Sequence, residues 1–205
     1  MKKLILLCFY LASLFLLSCK KDKIGGAGIS FKVDGQWAES AANPPAGQSL
    51  GYSICTISDC YFGYGGRYGV GAFDNIEITF GQIKPRQAQL SFDEFKSLFT
   101  PGVKQYDSLM VIGQLNSDRV EVQYIDGGGK RWSSTKEYYD AGGKLIKIIN
   151  QPGSSFVIDK AEEVKVDDHP GVKIAGRFNC ILYERNGNAQ KTITDATFIA
   201  KVSKY

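Results

Sequence analysis

"KIAGRFNCILYERNGNAQKTITDATFIAKVSKY", Lys173–Tyr205, decides how this chain is to be read. Two long stretches flank Asn186-Gly187, and Asn-Gly is the dipeptide that most readily adopts the two positive-φ positions of a tight hairpin turn. The spacing predicts two long antiparallel strands. Cys180 falls inside the first of them and reads as a small buried thiol.

The same grammar recurs upstream. "ISFKVDGQW", residues 29–37, alternates Ile29, Phe31 and Val33, then offers Asp34-Gly35 and Trp37, which is the pattern of a first hairpin. "NIEITFGQI", residues 75–83, alternates Ile76, Ile78 and Phe80, while "DRVEVQYIDGGGKRWSS", residues 118–134, places Val120, Val122 and Tyr124 before a glycine-rich turn and Trp132 after it. One helix interrupts the series. In "LSFDEFKSLFTPG", residues 90–102, Ser91 and Glu94 have capping-box spacing, Phe92, Phe95, Leu98 and Phe99 line one face, and Pro101-Gly102 stop the helix. Such a helix is expected to cover an open end or edge of a sheet. Many short strands and a single short helix predict an all-β antiparallel domain over residues 29–205, first as a two-sheet β-sandwich, with a lipocalin-like β-barrel as the alternative.

The amino terminus follows different rules. Met1, Lys2 and Lys3 precede an apolar or small stretch from Leu4 to Leu17, then Ser18 and Cys19, which are the parts of a secretory signal peptide. The apolar run is shorter than the ~20 residues needed to span a bilayer. Leu16-Leu17-Ser18-Cys19 resembles a bacterial lipobox, and that resemblance implies cleavage after residue 18, acylation of Cys19 and, with Lys20 next, outer-membrane localisation. Acyl chains anchor a protein through about 0.8 kcal/mol per buried methylene, so the chain can become polar at once after Cys19. Lys20, Lys21 and Lys23 add attraction to anionic headgroups, and residues 19–28 read as a lipidated tether.

The formal net charge of +4 includes Lys2 and Lys3, so the mature chain carries about +2, too little and too dispersed for a nucleic-acid partner. Cys55 and Cys60 enclose four residues and are a candidate disulfide across a hairpin mouth. No paired Cys/His spacing supports zinc, and neither a cofactor nor a metal is expected. His169, the sole histidine, lies in "VDDHPG", which reads as a solvated turn.

Residues 60–73, "CYFGYGGRYGVGAF", are the most unusual in composition. Read as a strand, they put bulk on one face and near-bare backbone on the other, a sign that another backbone, a ring or a ligand approaches closely. Tyr61, Tyr64 and Tyr68 are candidate ligand-binding rings for a glycan or peptide, against the plainer reading that a neighbouring aromatic covers the glycines. Trp37 and Trp132, with Tyr138 and Tyr139, are a second candidate platform, against a packing role. There is no GxSxG elbow, HExxH, Walker A loop or dinucleotide fingerprint.

"FKVDGQW" after a lipidated cysteine, "EITFGQI", and "GRFNCILYERNG" followed by "TITDATFIAKV" are similar to small cell-envelope lipoproteins of Bacteroidota. The resemblance implies an anchored β-domain and carries over no catalytic residues. The expected function is a non-enzymatic envelope lipoprotein, a binding or structural module whose partners are the bilayer and a glycan or peptide ligand. The alternatives are an anchored carboxylate-dependent glycoside hydrolase, marked by two acids in one cleft with at least one desolvated, and an adhesin or fimbrial-type subunit.

Overall fold

The computed structural model describes residues 28–40, 48–55, 59–70, 74–85, 90–106, 119–139, 145–148, 151–185 and 187–204. Residues 1–27, on which the expected leader, Cys19 and most of the expected tether fall, lie outside the described residues.

The described residues form strands and one short helix. In chain order the strands are β1 (Gly28–Val33), β2 (Gln36–Glu39), β3 (Gln48–Cys55), β4 (Asp59–Val70), β5 (Asp74–Pro85), β6 (Gly102–Tyr106), β7 (Arg119–Ile125), β8 (Arg131–Ser133), β9 (Glu137–Tyr139), β10 (Leu145–Ile148), β11 (Ser155–Val166), β12 (His169–Glu184) and β13 (Gln190–Ser203). The helix α1 (Phe92–Ser97) lies between β5 and β6.

The expected hairpins form, and two of them close through two-residue turns of positive φ, whereas the C-terminal hairpin closes over the five residues between Glu184 and Gln190, with Gly187 not at positive φ. Asp34 (φ 48°) and Gly35 (φ 82°) join β1 to β2, with Val33 opposite Gln36. Asp167 (φ 48°) and Asp168 (φ 64°) join β11 to β12, with Val166 opposite His169. Two consecutive positive-φ residues twist the chain in the sense that matches the strands. The long C-terminal hairpin pairs Tyr183 with Gln190 at its turn end and Gly171 with Ser203 at its far end.

These strands make one hydrogen-bonded sheet ordered β2-β1-β13-β12-β11-β6-β7-β5-β4-β3, with β8 pairing both β12 and β7 and with β9 and β10 forming a separate pair. The ladder is therefore continuous through eleven strands, where the sequence had suggested a division into two sheets. It is also mixed, because β6 runs parallel to β7, Gln105 opposite Arg119. A parallel pair of this kind cannot be joined by a tight hairpin turn.

The sheet is strongly coiled. β1 and β7 are five ladder steps apart, which at about 4.8 Å per step would separate them by ~24 Å in a flat sheet. The rings of Phe31 on β1 and Tyr124 on β7 nevertheless meet edge to face, 6.3 Å between centroids. Tyr68 on β4 donates its hydroxyl to the Ile199 carbonyl on β13 (3.1 Å), and Ser40 bridges to Val70. One apolar cluster fills the concave side, with contributions from β1, β4, β5, β7, β11, β12, β13 and α1. Ring packing dominates its centre: Phe156 lies within 5.3–5.6 Å of Phe80, Phe178 and Phe198.

Helix α1 begins as its sequence requires. Ser91 Oγ accepts from Glu94 N (3.2 Å), and Glu94 Oε2 accepts from Ser91 N (2.8 Å), a complete capping box. Its apolar face enters the core rather than lying along an edge. Phe95 meets Tyr64 at 4.9 Å and Phe99 meets Phe80 at 5.2 Å, with Phe95, Leu98 and Phe99 fully buried.

Candidate functional site

The aromatic candidates separate. Tyr64, Tyr68 and Trp132 are buried and offer no ring to an external ligand, which corrects the platform reading for these three. Their destination follows from strand periodicity. Tyr64, Gly66, Tyr68 and Val70 of β4 point into the concave face, and there Tyr64 packs on Phe95 while Tyr68 lies over Gly66. Trp132 is a packing anchor. Its Nε1 donates to Asp126 Oδ2 (3.0 Å), and Lys191 Nζ sits 4.7 Å from its ring centroid. Burial opposes ionisation of Asp126, but donation from Trp132 and from the backbone N–H groups of Lys130 and Gly128 outweighs it and holds the carboxyl below its usual range. Among the candidates whose side chains are described, Trp37 alone is at the surface, 65% exposed on β2, with Lys32 Nζ 4.7 Å from its ring. The side chains of Tyr61, Tyr138 and Tyr139 lie outside the described residues, as do those of Cys55 and Cys60.

A polar cluster that the sequence did not single out occupies the convex side of β5, β7 and β8. On β7, Val120, Val122 and Tyr124 face the core, which turns Glu121 and Gln123 to the opposite side. Glu121 is only 5% exposed even so, and its cross-strand partner Thr79 is 7% exposed. Glu121 Oε1 accepts from Gln123 Nε2 (3.0 Å) and from Ser133 Oγ (2.7 Å). Because the single Ser133 hydroxyl proton goes to the carboxylate, Thr135 Oγ1, 3.1 Å away, must donate to Ser133 Oγ. The Thr135 backbone N–H donates to that same oxygen (3.1 Å).

Glu77 pairs with Gln123 in the ladder and is therefore the diagonal neighbour of Glu121, a relation that sets Cα atoms about 7–8 Å apart. Two acids thus share one face, one of them desolvated. Their partners decide what they can do. Glu121 accepts from Gln123 and Ser133, and Glu77 faces the Arg67 guanidinium across β4 and β5. Glycoside cleavage needs one carboxyl to present a proton to a leaving oxygen. Both acids here are instead occupied as acceptors by side chains of their own sheet, the arrangement that satisfies buried polar atoms.

The remaining candidates are dispersed. His169 is exposed at the start of β12, immediately after the Asp167-Asp168 turn. Among the described residues, no group of three or more His, Cys, Asp or Glu side chains is placed to hold a metal ion, and no helix is long and apolar enough to cross a membrane. Cys180 is buried and unbridged, and burial pushes its thiol well above the usual range. Comparison with protein-family models, with curated proteins and with solved structures finds no match to this chain.

Proposed function

We propose that this chain is a non-enzymatic lipoprotein of the cell envelope, anchored in the outer membrane by acylated Cys19, whose β-domain serves as a binding or structural module. The observation that carries this reading is the abrupt change at Leu16-Leu17-Ser18-Cys19 from an apolar run to Lys20-Lys21-Asp22-Lys23, close ahead of the first strand at Gly28. A leader too short to span, ending at a cysteine, fits a lipid anchor better than a helix anchor. The commitment of Glu121 and Glu77 to partners within their own sheet supports a non-enzymatic body over a carboxylate hydrolase. Trp37 with Lys32 beside it supports a contact to a glycan or peptide, because an exposed ring next to a cation offers both an apolar face and a charge.

For the architecture, we infer the closed barrel rather than the two-sheet sandwich. The unbroken ladder, the Ser40–Val70 bridge and the pairing of β8 with both β7 and β12 support a sheet that returns on itself.

Cells fed a fatty-acid analogue should label the wild-type chain and not Cys19→Ala, and the Cys19→Ala product should leave the membrane fraction. Label persisting in the variant would refute the anchor. The same material on glycan and peptide arrays is expected to give a signal that Trp37→Ala removes. A signal equal in the two proteins would exclude Trp37 from binding.

A further inference from the structure

We propose that Cys55 and Cys60 form an intrachain disulfide that ties the last strand of the ladder to the one strand it pairs with among the described residues. The backbone supplies the geometry. β3 and β4 pair without a register shift from Gln48 opposite Arg67 down to Cys55 opposite Cys60, so the two cysteines are direct cross-strand partners at the closing end of the ladder. Directly opposed residues in an antiparallel pair have Cα atoms about 4.5 Å or about 5.5 Å apart, according to whether the pair is outside or inside a hydrogen-bonded ring. A disulfide accepts roughly 4.4–6.8 Å, so either pair type suits it. A register slip of one residue would remove this match, and none occurs between positions 48 and 55.

The position also explains what a bridge does. β3 ends the sheet order, and among the described residues it pairs with β4 alone. A terminal strand is held by one ladder and opens first. A covalent tie at the hairpin mouth keeps the β3 end in register where, among the described residues, no second ladder does. The inference rests on the proposed export of the chain only for its oxidant: outside the cytoplasm each thiol gives up a proton, one S–S bond forms, and two electrons pass to the disulfide of a thiol oxidoreductase, which leaves as a dithiol.

The test uses the purified full-length chain in a glutathione redox buffer, followed by alkylation in denaturant and peptide mapping, so that its outcome does not depend on localisation. A 55–60 bridge is expected in wild type and in Cys180→Ala alike, with Cys180 alkylated in wild type before any reductant is added. Reduction should lower the thermal midpoint by about 4–8 °C, and Cys55→Ser and Cys60→Ser should each start at the lower value. Glutathione adducts or free thiols at 55 and 60 after equilibration would overturn the bridge, as would a pairing of either with Cys180. Mapping of envelope-purified chain reads Cys19 acylation on a separate peptide, so a missing anchor with an intact bridge, or the reverse, identifies which proposal has failed.

Discussion

Gly65 shows how a single missing side chain shapes this sheet. A Cβ built there would collide with the Ile78 carbonyl oxygen and lie 2.9 Å from Thr79 Cα, both backbone atoms that cannot move aside. One residue on, Gly66 faces the core, and a Cβ would come 3.1–3.3 Å from the Tyr68 ring and hydroxyl. The composition of residues 60–73 indicated such an approach without naming the neighbour. Backbone fills one place, and a ring from the same strand fills the other. Gly65→Ala is therefore expected to destabilise the fold by about 2–3 kcal/mol, in the range of forced overpacking. Gly69→Ala, where a Cβ meets nothing within 4 Å, should stay within about 0.5 kcal/mol of wild type. Urea melts of the pair check this, and equal midpoints would remove the steric argument.

At the scale of elements, β13 explains why strict alternation is a partial guide. Its buried residues include Ile193, Ala196, Phe198, Ala200 and Val202, and the step of three at the start breaks a period of two. A bulge centred on Asp195 (φ 53°) absorbs the extra residue, and both ladders record it, because Phe178 pairs with Ala196 but Cys180 with Ile193, and Ser30 pairs with Thr197 but Lys32 with Thr194. Lys32 Nζ meets the Asp195 carboxylate at 2.8 Å on the exposed side. The turn of β11 and β12 carries a different strain, since Asp168 holds φ 64° with a Cβ. Relieving a left-handed residue is worth about 1–2 kcal/mol at most, and the added freedom of glycine in the unfolded chain takes back about 0.4–1 kcal/mol. Asp168→Gly should thus stabilise the protein by about 0.5 kcal/mol, read as a higher urea midpoint at unchanged slope. A lower midpoint would mean that the aspartate side chain contributes more than its backbone costs.

For the molecule as a whole, the core holds titratable groups in their neutral forms. Burial pushes the Tyr68 hydroxyl up, and burial together with neighbouring Cys180 does the same to Tyr106, whose hydroxyl sits between the carbonyls of Asn179 (2.9 Å) and Ser155 (3.1 Å). The Cys180 thiol is likewise raised by burial, against a smaller opposing effect of the Tyr106 hydrogen bond. In the unfolded chain a cysteine loses its proton at about pH 8.5 and a tyrosine at about pH 10. Above those values the unfolded state binds fewer protons than the folded one, so stability falls with rising pH, by about 1.4 kcal/mol per pH unit for each group. The contribution is complete below about pH 8. Urea midpoints measured from pH 8 to 10.5 should decline, and Cys180→Ala should lose the earliest part of the decline. A flat wild-type profile would contradict neutral burial of these groups.

Sequence by itself determined the local conformations. Asp34-Gly35 is a tight turn because two small or turn-forming residues tolerate positive φ, and α1 starts at Ser91 because Glu94 completes its capping box. The strands exist because apolar residues alternate, and Cys180 is buried because it falls within that pattern. Tertiary structure alone decided which face of each strand is covered and which distant strands meet. Glu121 and Gln123 alternate with Val120 and Val122 in the same way that solvent-facing residues do. The burial of Glu121 depends on the approach of Ser133 from β8, and a contact of that kind leaves no periodic trace in the chain. The parallel pairing of β6 with β7 and the contact of Phe31 with Tyr124 belong to the same class. They are set by how far the sheet coils, a sum of twists over many strands that no short stretch of residues encodes.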